Sequence, residues 1–269
     1  MMEYLGALGR LVALRCASTE RTSQGPRYVE QWTVEGHRQV QNLPGLSRAW
    51  DVQWGLAYRD EAATLAGFLT GAWGAGPWHW VSIQAQRGNL LTPRESMLIQ
   101  HVPTSGLTAT GPIRDADGNW APRGLSNGNT GTWAMVFRGL PVIPGQRVTF
   151  SADVQGSPGQ ALAYDFRNSA GSQVSGGYGG TVTAAMARTS MTVQTPAGAT
   201  ELRVGVRSEV AMMTRPQVTW TDHAVPWSEG HGCRSAVIEA GASELLYAAR
   251  DQTFSSTGFT VLEVGNAGG

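Results

Sequence analysis

The sequence predicts a mainly β protein. An antiparallel sandwich or jelly roll over residues 89–227 is inserted into a smaller β domain built from residues 1–88 and 228–269. Three observations lead there. About eight short alternating strand patterns recur through the middle of the chain, separated by turns containing Gly and Pro. One stretch, 60–73, carries apolar residues at helical spacing. The texture changes twice, at Asn89 and at Gly230. The tail beyond Gly230 is too short to fold alone, and the first 88 residues read as a sheet that lacks strands, so the two ends are expected to share one discontinuous domain.

The elements follow in order. LGALGRLVALRC (5–16) reads as a first strand, and SQGP (23–26) as a turn. RYVEQWTVEG (27–36) is a second strand. SRAWDVQWGLAY (47–58) is the clearest one, with Trp50, Val52 and Trp54 on one face. Asp60 caps the helix, and Glu61 favours its first turn. Ala62, Leu65, Phe68 (or Ala66), Leu69 and Trp73 follow, and GAGP (74–77) stops it before the strand PWHWVSI (77–83). In the middle, PVIPGQRVTFSADVQG (141–156) is a turn and a strand, with Val148, Phe150, Ala152 and Val154 facing one way. QALAYDFRNSAG (160–171) is another strand. Residues 187–208 give two strands around PAGAT, and 212–230 a last one with an exit turn at Pro226. SAVIEAG, ELLYAA and FTVLEV give two or three strands in the tail.

Composition narrows the function classes. The 269 residues include 35 Gly and 13 Pro, short of a disordered share, and ten Trp supply material for a core. Only 15% are charged, against about a quarter in ordinary domains, so much of the surface is expected to meet other protein. Net charge is zero, which argues against nucleic acid as partner. All 20 basic residues are Arg. Without Lys there is no P-loop lysine, no Schiff-base lysine and no kinase β3 lysine. Cys16 and Cys233 read either as one disulfide or as two buried thiols. Glu3 and Arg10 spoil a signal peptide. The uncharged stretch 62–86 fails as a membrane span because Gly71, Gly74, Gly76 and Pro77 interrupt it. No GxSxG or HExxH motif is present, and no cofactor is expected.

Several segments together resemble minor tail proteins of long-tailed, siphovirus-type phages of actinobacteria, relatives of distal tail proteins. They are LGRLVALRC, RAWDVQW, DEAATLAGFLTG and GPWHWVS running into NLLTP, then IPGQRVTFSADVQG, TPAGATELRVGVRS, VTWTDHAVPWSEGHGC and FTVLEVG. The resemblance covers most of the chain and rests on strands and turns. It implies a tail-tube-like β-sandwich with one α-helix, interrupted by a carbohydrate-binding-module-like jelly roll of the galactose-binding type. It also implies a structural virion protein at the tail tip, assembled in the host cytoplasm. Its partners would be further copies in a ring and the tube, tip and tape-measure proteins. A glycan-binding adhesin for the host cell wall is the alternative, and a wall-degrading hydrolase a third.

The candidate site residues fall into groups. Ring-interface candidates are Trp50, Trp54, Leu65, Phe68, Leu69, Trp73, Trp78 and Trp80. The helix has few charges on any face, and five Trp crowd one part of a small domain. Glycan-contact candidates are Trp120, Tyr178 and Tyr164, because aromatic faces stack on the C–H surfaces of sugars. Trp133, inside TWAMVF, reads as core. Asp115 and Asp117 in DADGN read as an Asp-Gly hairpin turn before a calcium loop, since Ser126 stands where an EF-hand needs Glu. His223, His231 and Cys233 lack the spacing of a zinc site.

Overall fold

The structure, a computed structural model, describes residues 2–14, 18–23, 28–32, 38–42, 48–74, 76–99, 106–129, 131–249 and 252–264. Side chains within 15–47, 54–62 and 240–257 lie outside that description.

The chain is mainly β, with several antiparallel sheets. It opens with β1 (Glu3–Ala7), β2 (Arg10–Leu14), β3 (Ser18–Ser23), β4 (Tyr28–Trp32), β5 (Arg38–Asn42) and β6 (Arg48–Tyr58). Then come α1 (Arg59–Leu69), β7 (Trp78–Val81), and the short helices α2 (Ile83–Arg87) and α3 (Pro93–Ser96). The middle holds β8 (Leu107–Thr110), β9 (Ile113–Arg114), β10 (Trp120–Ala121), β11 (Gly124–Asn127), β12 (Trp133–Pro141) and β13 (Arg147–Gly156). It continues with β14 (Gly159–Arg167), β15 (Gln173–Val182), β16 (Ala187–Gln194), β17 (Glu201–Arg207) and β18 (Val210–Thr219). The chain closes with β19 (Cys233–Ala249) and β20 (Gln252–Glu263).

Contacts divide it into two units. Unit 1 comprises 1–5, 12–80 and 234–269; unit 2 comprises 6–11 and 81–233. Residues 81–88 and 228–233 thus group with the middle of the chain, whereas the sequence reading assigns them to the outer domain. The local reason is a set of hydrogen bonds around Asn89. Its Oδ1 accepts from Leu91 N and Val218 N, and its Nδ2 donates to Pro216 O and Ser228 O.

Unit 1 contains a seven-stranded sheet in the order β2-β1-β7-β19-β20-β6-β3, and β4 pairs with β5 as a separate hairpin. A flat sheet of this size would hold its edges about 29 Å apart. Strands β2 and β3 are its two edges yet are joined by only residues 15–17, a connection reaching at most about 14 Å, so the sheet curls. Its core includes Leu5, Trp50, Val52, Leu65, Phe68, Trp78, Trp80, Phe259 and Val261. Trp50 and Trp80 meet at 6.3 Å, and Phe68 meets Trp78 edge-on at 5.0 Å.

Two sequence expectations need correction here, and one open alternative is resolved. The first strand is a hairpin, because Gly9 adopts φ 78° and turns the chain between Ala7 and Arg10. Of the two or three strands expected in the tail the structure has two: SAVIEAG and ELLYAA share β19, with a register irregularity between Ala240 and Ser243. The helix ends at Leu69 rather than at residue 73: Gly71 takes φ 74°, and Trp73 turns back so that its Nε1 donates to Thr64 O at 3.2 Å.

Unit 2 is a sandwich of a five-stranded sheet (β16-β13-β18-β11-β8) and a four-stranded sheet (β12-β17-β14-β15). From β12 to β18 the chain passes back and forth between the sheets, as in a jelly roll. Val148, Phe150, Ala152 and Val154 face inward from one sheet, and Leu162, Phe166, Leu202, Val204 and Val206 from the other. The outer side of the five-stranded sheet is buried as well, but it is polar: Thr149, Ser151, Asp153 and Gln217 are all at most 2% exposed. Arg188 joins them, donating to Asp153, Ser151, Gln217 and Arg215 O. Gln217 Nε2 in turn holds Gly88 O and Pro226 O. This polar layer fastens the ingoing and outgoing segments of the unit to its sheet.

Candidate functional site

The two most exposed aromatic groups of unit 2 sit in different settings. Trp120 is 64% exposed on β10, the second strand of the β9–β10 hairpin. The Arg114 guanidinium lies 4.2 Å from its ring centre, and Arg114 Nη1 donates to Gly118 O. With Pro112, Ala121 and Pro122, Trp120 lines a shallow, largely apolar depression of about 640 Å³.

The hairpin turn beneath it is DADGN. Asp115 Oδ1 accepts from Asp117 N and Asn119 N, and Gly118 supplies φ 83°. Arg215 Nη1 contacts Asp115 Oδ2 at 2.6 Å and Asp117 Oδ2 at 3.2 Å. Arg215 itself takes φ 48°, a conformation that L side chains rarely adopt, held by these carboxylates and by stacking on Trp227 at 4.7 Å. Both acidic groups of the turn therefore already face a cation of the chain's own. Among the described residues, no three His, Cys, Asp or Glu side chains gather as a metal site would require. His223 Nδ1 instead meets Asp222 at 2.6 Å on the surface, and His231 N donates to Asn89 O. Cys233 is buried, while Cys16 lies outside the described residues, and with it the question of their pairing.

Tyr178 is 42% exposed and stands mid-strand on β15, not at a turn as the GGYGG sequence implies. The glycines around it make room for neighbours. A Cβ at Gly177 would come within 3.0 Å of the Tyr164 ring, and one at Gly179 within 2.8 Å of Met191. Across the sheet, Tyr178 pairs with Ala163, Ala163 with Gly205, and Gly205 with Met135. Since directly paired residues project to one face, this row lies on the outer side of the four-stranded sheet. Arg207 reaches over it to place its guanidinium 4.2 Å from the Tyr178 ring centre, tied at 3.0 Å to Glu209. The bond to Glu209 raises the pKa of Arg207 and lowers that of Glu209.

Two aromatic residues are placed differently from expectation. Trp133 is not core: it pairs with Arg207 on the outer side, and its ring lies over Gly205, where a Cβ would come within 2.8 Å. Tyr164 is on the opposite face from Tyr178. It pairs with buried Val204 and packs edge-on against Phe166 at 5.6 Å. The alternation along β14 carries this information, but only once the register is known.

Of the ring-interface candidates, Trp50, Leu65, Phe68, Trp78 and Trp80 are buried within unit 1. The aromatic pairs described above let the unit hide three of its five Trp by itself. Leu69 and Trp73 are exposed, at 39% and 45%, and the Trp54 side chain lies outside the described residues.

His79, between Trp78 and Trp80, has its pKa lowered to about 4, first by burial and then by Arg234. It is a neutral imidazole at neutral pH.

No family model and no curated protein matches the chain. It is similar to two solved structures. One is the enzymatically active domain of tailspike protein 4 of bacteriophage CBA120, at 12% identity and a TM-score of 0.37, covering 49% of this chain and 21% of that one. The other is the N-terminal CBM22-1–GH10 part of Clostridium thermocellum endo-1,4-β-D-xylanase 10B complexed with xylohexaose, at 17% identity and a TM-score of 0.32, covering 48% and 29%. The chain thus spans less than a third of the length of either protein.

Proposed function

We propose that the chain is a structural component of a phage tail tip, assembling through unit 1 as a homo-oligomeric ring and carrying no catalytic activity. The ring is six-fold if it continues the tail tube and three-fold if it lies nearer the tip. The observation that carries this reading is the outward side of α1 and the turn after it. Ala63, Ala66, Leu69, Thr70, Ala72 and Trp73 are all exposed there without a charge among them. A helix side that meets only water normally carries polar residues, and exposed Leu and Trp together mark a surface that meets protein. The sequence resemblance supplies the setting: a virion tail tip, with tube, tip and tape-measure proteins as neighbours. Absence of catalysis fits the pairing of the unit 2 carboxylates, since Asp115 faces Arg215, Asp153 faces Arg188 and Asp165 faces Arg167.

Native mass spectrometry and negative-stain imaging of the purified protein test this. Rings are expected from the wild type, and smaller species from Leu69→Ser with Trp73→Ser. A wild-type protein that stays monomeric on its own and in the virion overturns the reading.

A second reading is favoured by the exposed Trp120 and Tyr178, each with a guanidinium on its ring: unit 2 contacts a cell-wall glycan. Measurable affinity for host wall polysaccharide supports it. Blank glycan arrays and wall pull-downs overturn it.

A further inference from the structure

We propose that the outer face of the β12-β17-β14-β15 sheet is the glycan-contact surface of unit 2, and that its ligand is an uncharged polysaccharide lying across the strands. This rests on the second reading above and adds the surface, the ligand class and the residues.

The first argument is shape. The middle of the face is a floor of small residues, Ala163 and Gly205 in one row and Gly176 in the next. Flat groups lie over that floor. The Trp133 ring covers Gly205, the Gln173 amide approaches Gly176, and the Arg207 guanidinium extends to the Tyr178 ring. From β15 to β12 is three inter-strand steps, about 14 Å, with Tyr178 at one side and Trp133 at the other. That width suits a run of several pyranose rings rather than one. Aromatic planes take the C–H faces of sugars, and the guanidinium and amide edges between them take hydroxyls.

The second argument is charge. Four guanidinium groups belong to this face, and three of them have a carboxylate: Arg167 with Asp165 at 2.6 Å, Arg203 with Glu201 at 2.9 Å, Arg207 with Glu209 at 3.0 Å, while Arg138 is exposed on β12. The three pairs cancel, so beyond Arg138 the described residues of this face offer no further cation, whereas a polymer with a phosphate or uronate on every repeat calls for a row of them. Paired groups still have N–H donors and lone pairs to spare for neutral hydroxyls.

The test uses the full chain. Binding is measured by affinity electrophoresis and calorimetry against soluble neutral polymers (galactan, mannan, hydroxyethyl cellulose) and acidic ones (polygalacturonate, polyglycerol phosphate). At least one neutral polymer should bind, with little change between low and high salt. Tyr178→Ala and Arg207→Gln should each weaken binding about tenfold with the melting temperature kept. Preference for the acidic polymers, or strong salt dependence, overturns the charge argument and the proposal. Loss of binding in Trp120→Ala but not in Tyr178→Ala or Arg207→Gln overturns this surface while the glycan reading stands. Binding to no polymer at all overturns both.

Discussion

Asn89 and Ser228 stand 139 residues apart and are joined by a 3.1 Å hydrogen bond from Asn89 Nδ2 to Ser228 O. The same side chain reaches Pro216 O, Leu91 N and Val218 N, and it is fully buried. One amide thus uses two donors and two acceptors to bind the start of unit 2, its last sandwich strand and its exit. Around it, His231 N donates to Asn89 O, Gly232 N to Leu91 O, and Gly230 N to the Ser96 hydroxyl.

Replacing Asn89 with Ala should leave buried backbone groups without partners, each costing about 1–3 kcal/mol. Water entering the small space left behind can recover part of this. We expect a net loss of about 2–4 kcal/mol by denaturant unfolding. Amide exchange should rise at Leu91, Val218 and residues 228–232 first. An unchanged midpoint would show that the amide only fills space.

His79 gives a pH dependence with a defined sign. Its folded pKa of about 4 lies below the usual value near 6.5, chiefly through burial. The unfolded chain therefore binds the proton more readily, and protonation favours unfolding. The His79 contribution is complete above pH 6.5, falls as the pH drops towards 4, and levels off below that. It amounts to about 3 kcal/mol at most. Carboxylates also lose stability in acid, so the informative measurement is the difference between the wild type and His79→Gln. The wild type should fall more steeply between pH 6.5 and 4, and parallel curves would contradict the assignment.

Arg48 and Glu263 form a two-pronged ion pair, both bonds 2.8 Å, between the first residue of β6 and the last of β20. Both side chains are largely buried, and Arg48 also lies 5.2 Å from the Trp50 ring centre. Glu263→Gln should cost about 3 kcal/mol, because it removes the charge of a two-pronged partner from a buried guanidinium. The double variant Arg48→Met with Glu263→Leu should recover much of that loss. The comparison distinguishes a mispaired charge from lost packing.

Much of this was legible from the sequence, and the exceptions have physical causes. Alternation marked the strands around Trp50 and Phe150, where one face is apolar and the other polar. It failed for β15, whose QVSGGYGGTV reads as turn because its glycines serve side chains on adjacent strands. The short helix α3 was missed although its signal is printed in the chain: Thr92 and Glu95 form a capping box, with Pro93 at the first helical position. Trp133 and Tyr164 lie on the faces opposite to those the sequence suggests, since the face depends on register across strands far apart in sequence. The exposed position of Trp120 beside the DADGN turn was legible, but Arg215, a hundred residues on, was not.

Gly67 offers a local test at the surface proposed for assembly. A Cβ there would come within 1.9 Å of Trp73 Nε1, so the ring now occupies the space over the helix that the glycine leaves. Gly67→Ala should gain about 1 kcal/mol in helix propensity. It should lose a similar amount by displacing the ring and its bond to Thr64 O. The two nearly cancel, so stability should change by less than about 1 kcal/mol while the indole moves into water. Red-shifted Trp emission without a change in melting temperature is expected, and a large loss of stability would mean that Trp73 is needed by the fold itself.

The boundary of unit 2 can be tested by excision. A fragment of residues 89–227 keeps every strand of the sandwich but ends before Ser228. It loses the bonds from Asn89 to Ser228 O, from His231 N to Asn89 O, from Gly232 N to Leu91 O, and from Gly230 N to Ser96. It also loses Trp220 N to Gln86 O and Gln217 Nε2 to Gly88 O. At about 1 kcal/mol net for each, the deficit is comparable to the whole stability of a small domain. Water can satisfy the groups left near the new ends, but not those still held over the five-stranded sheet, where Gln217 is 1% exposed. A fragment of residues 81–233 retains all six. We expect it to unfold in one cooperative transition and to show the circular dichroism of an all-β domain. The shorter one should melt at least 10 °C lower, given a shift of about 2–4 °C per kcal/mol for a domain of this size. Equal melting temperatures would mean that the polar layer over the sheet does not depend on its two covering segments.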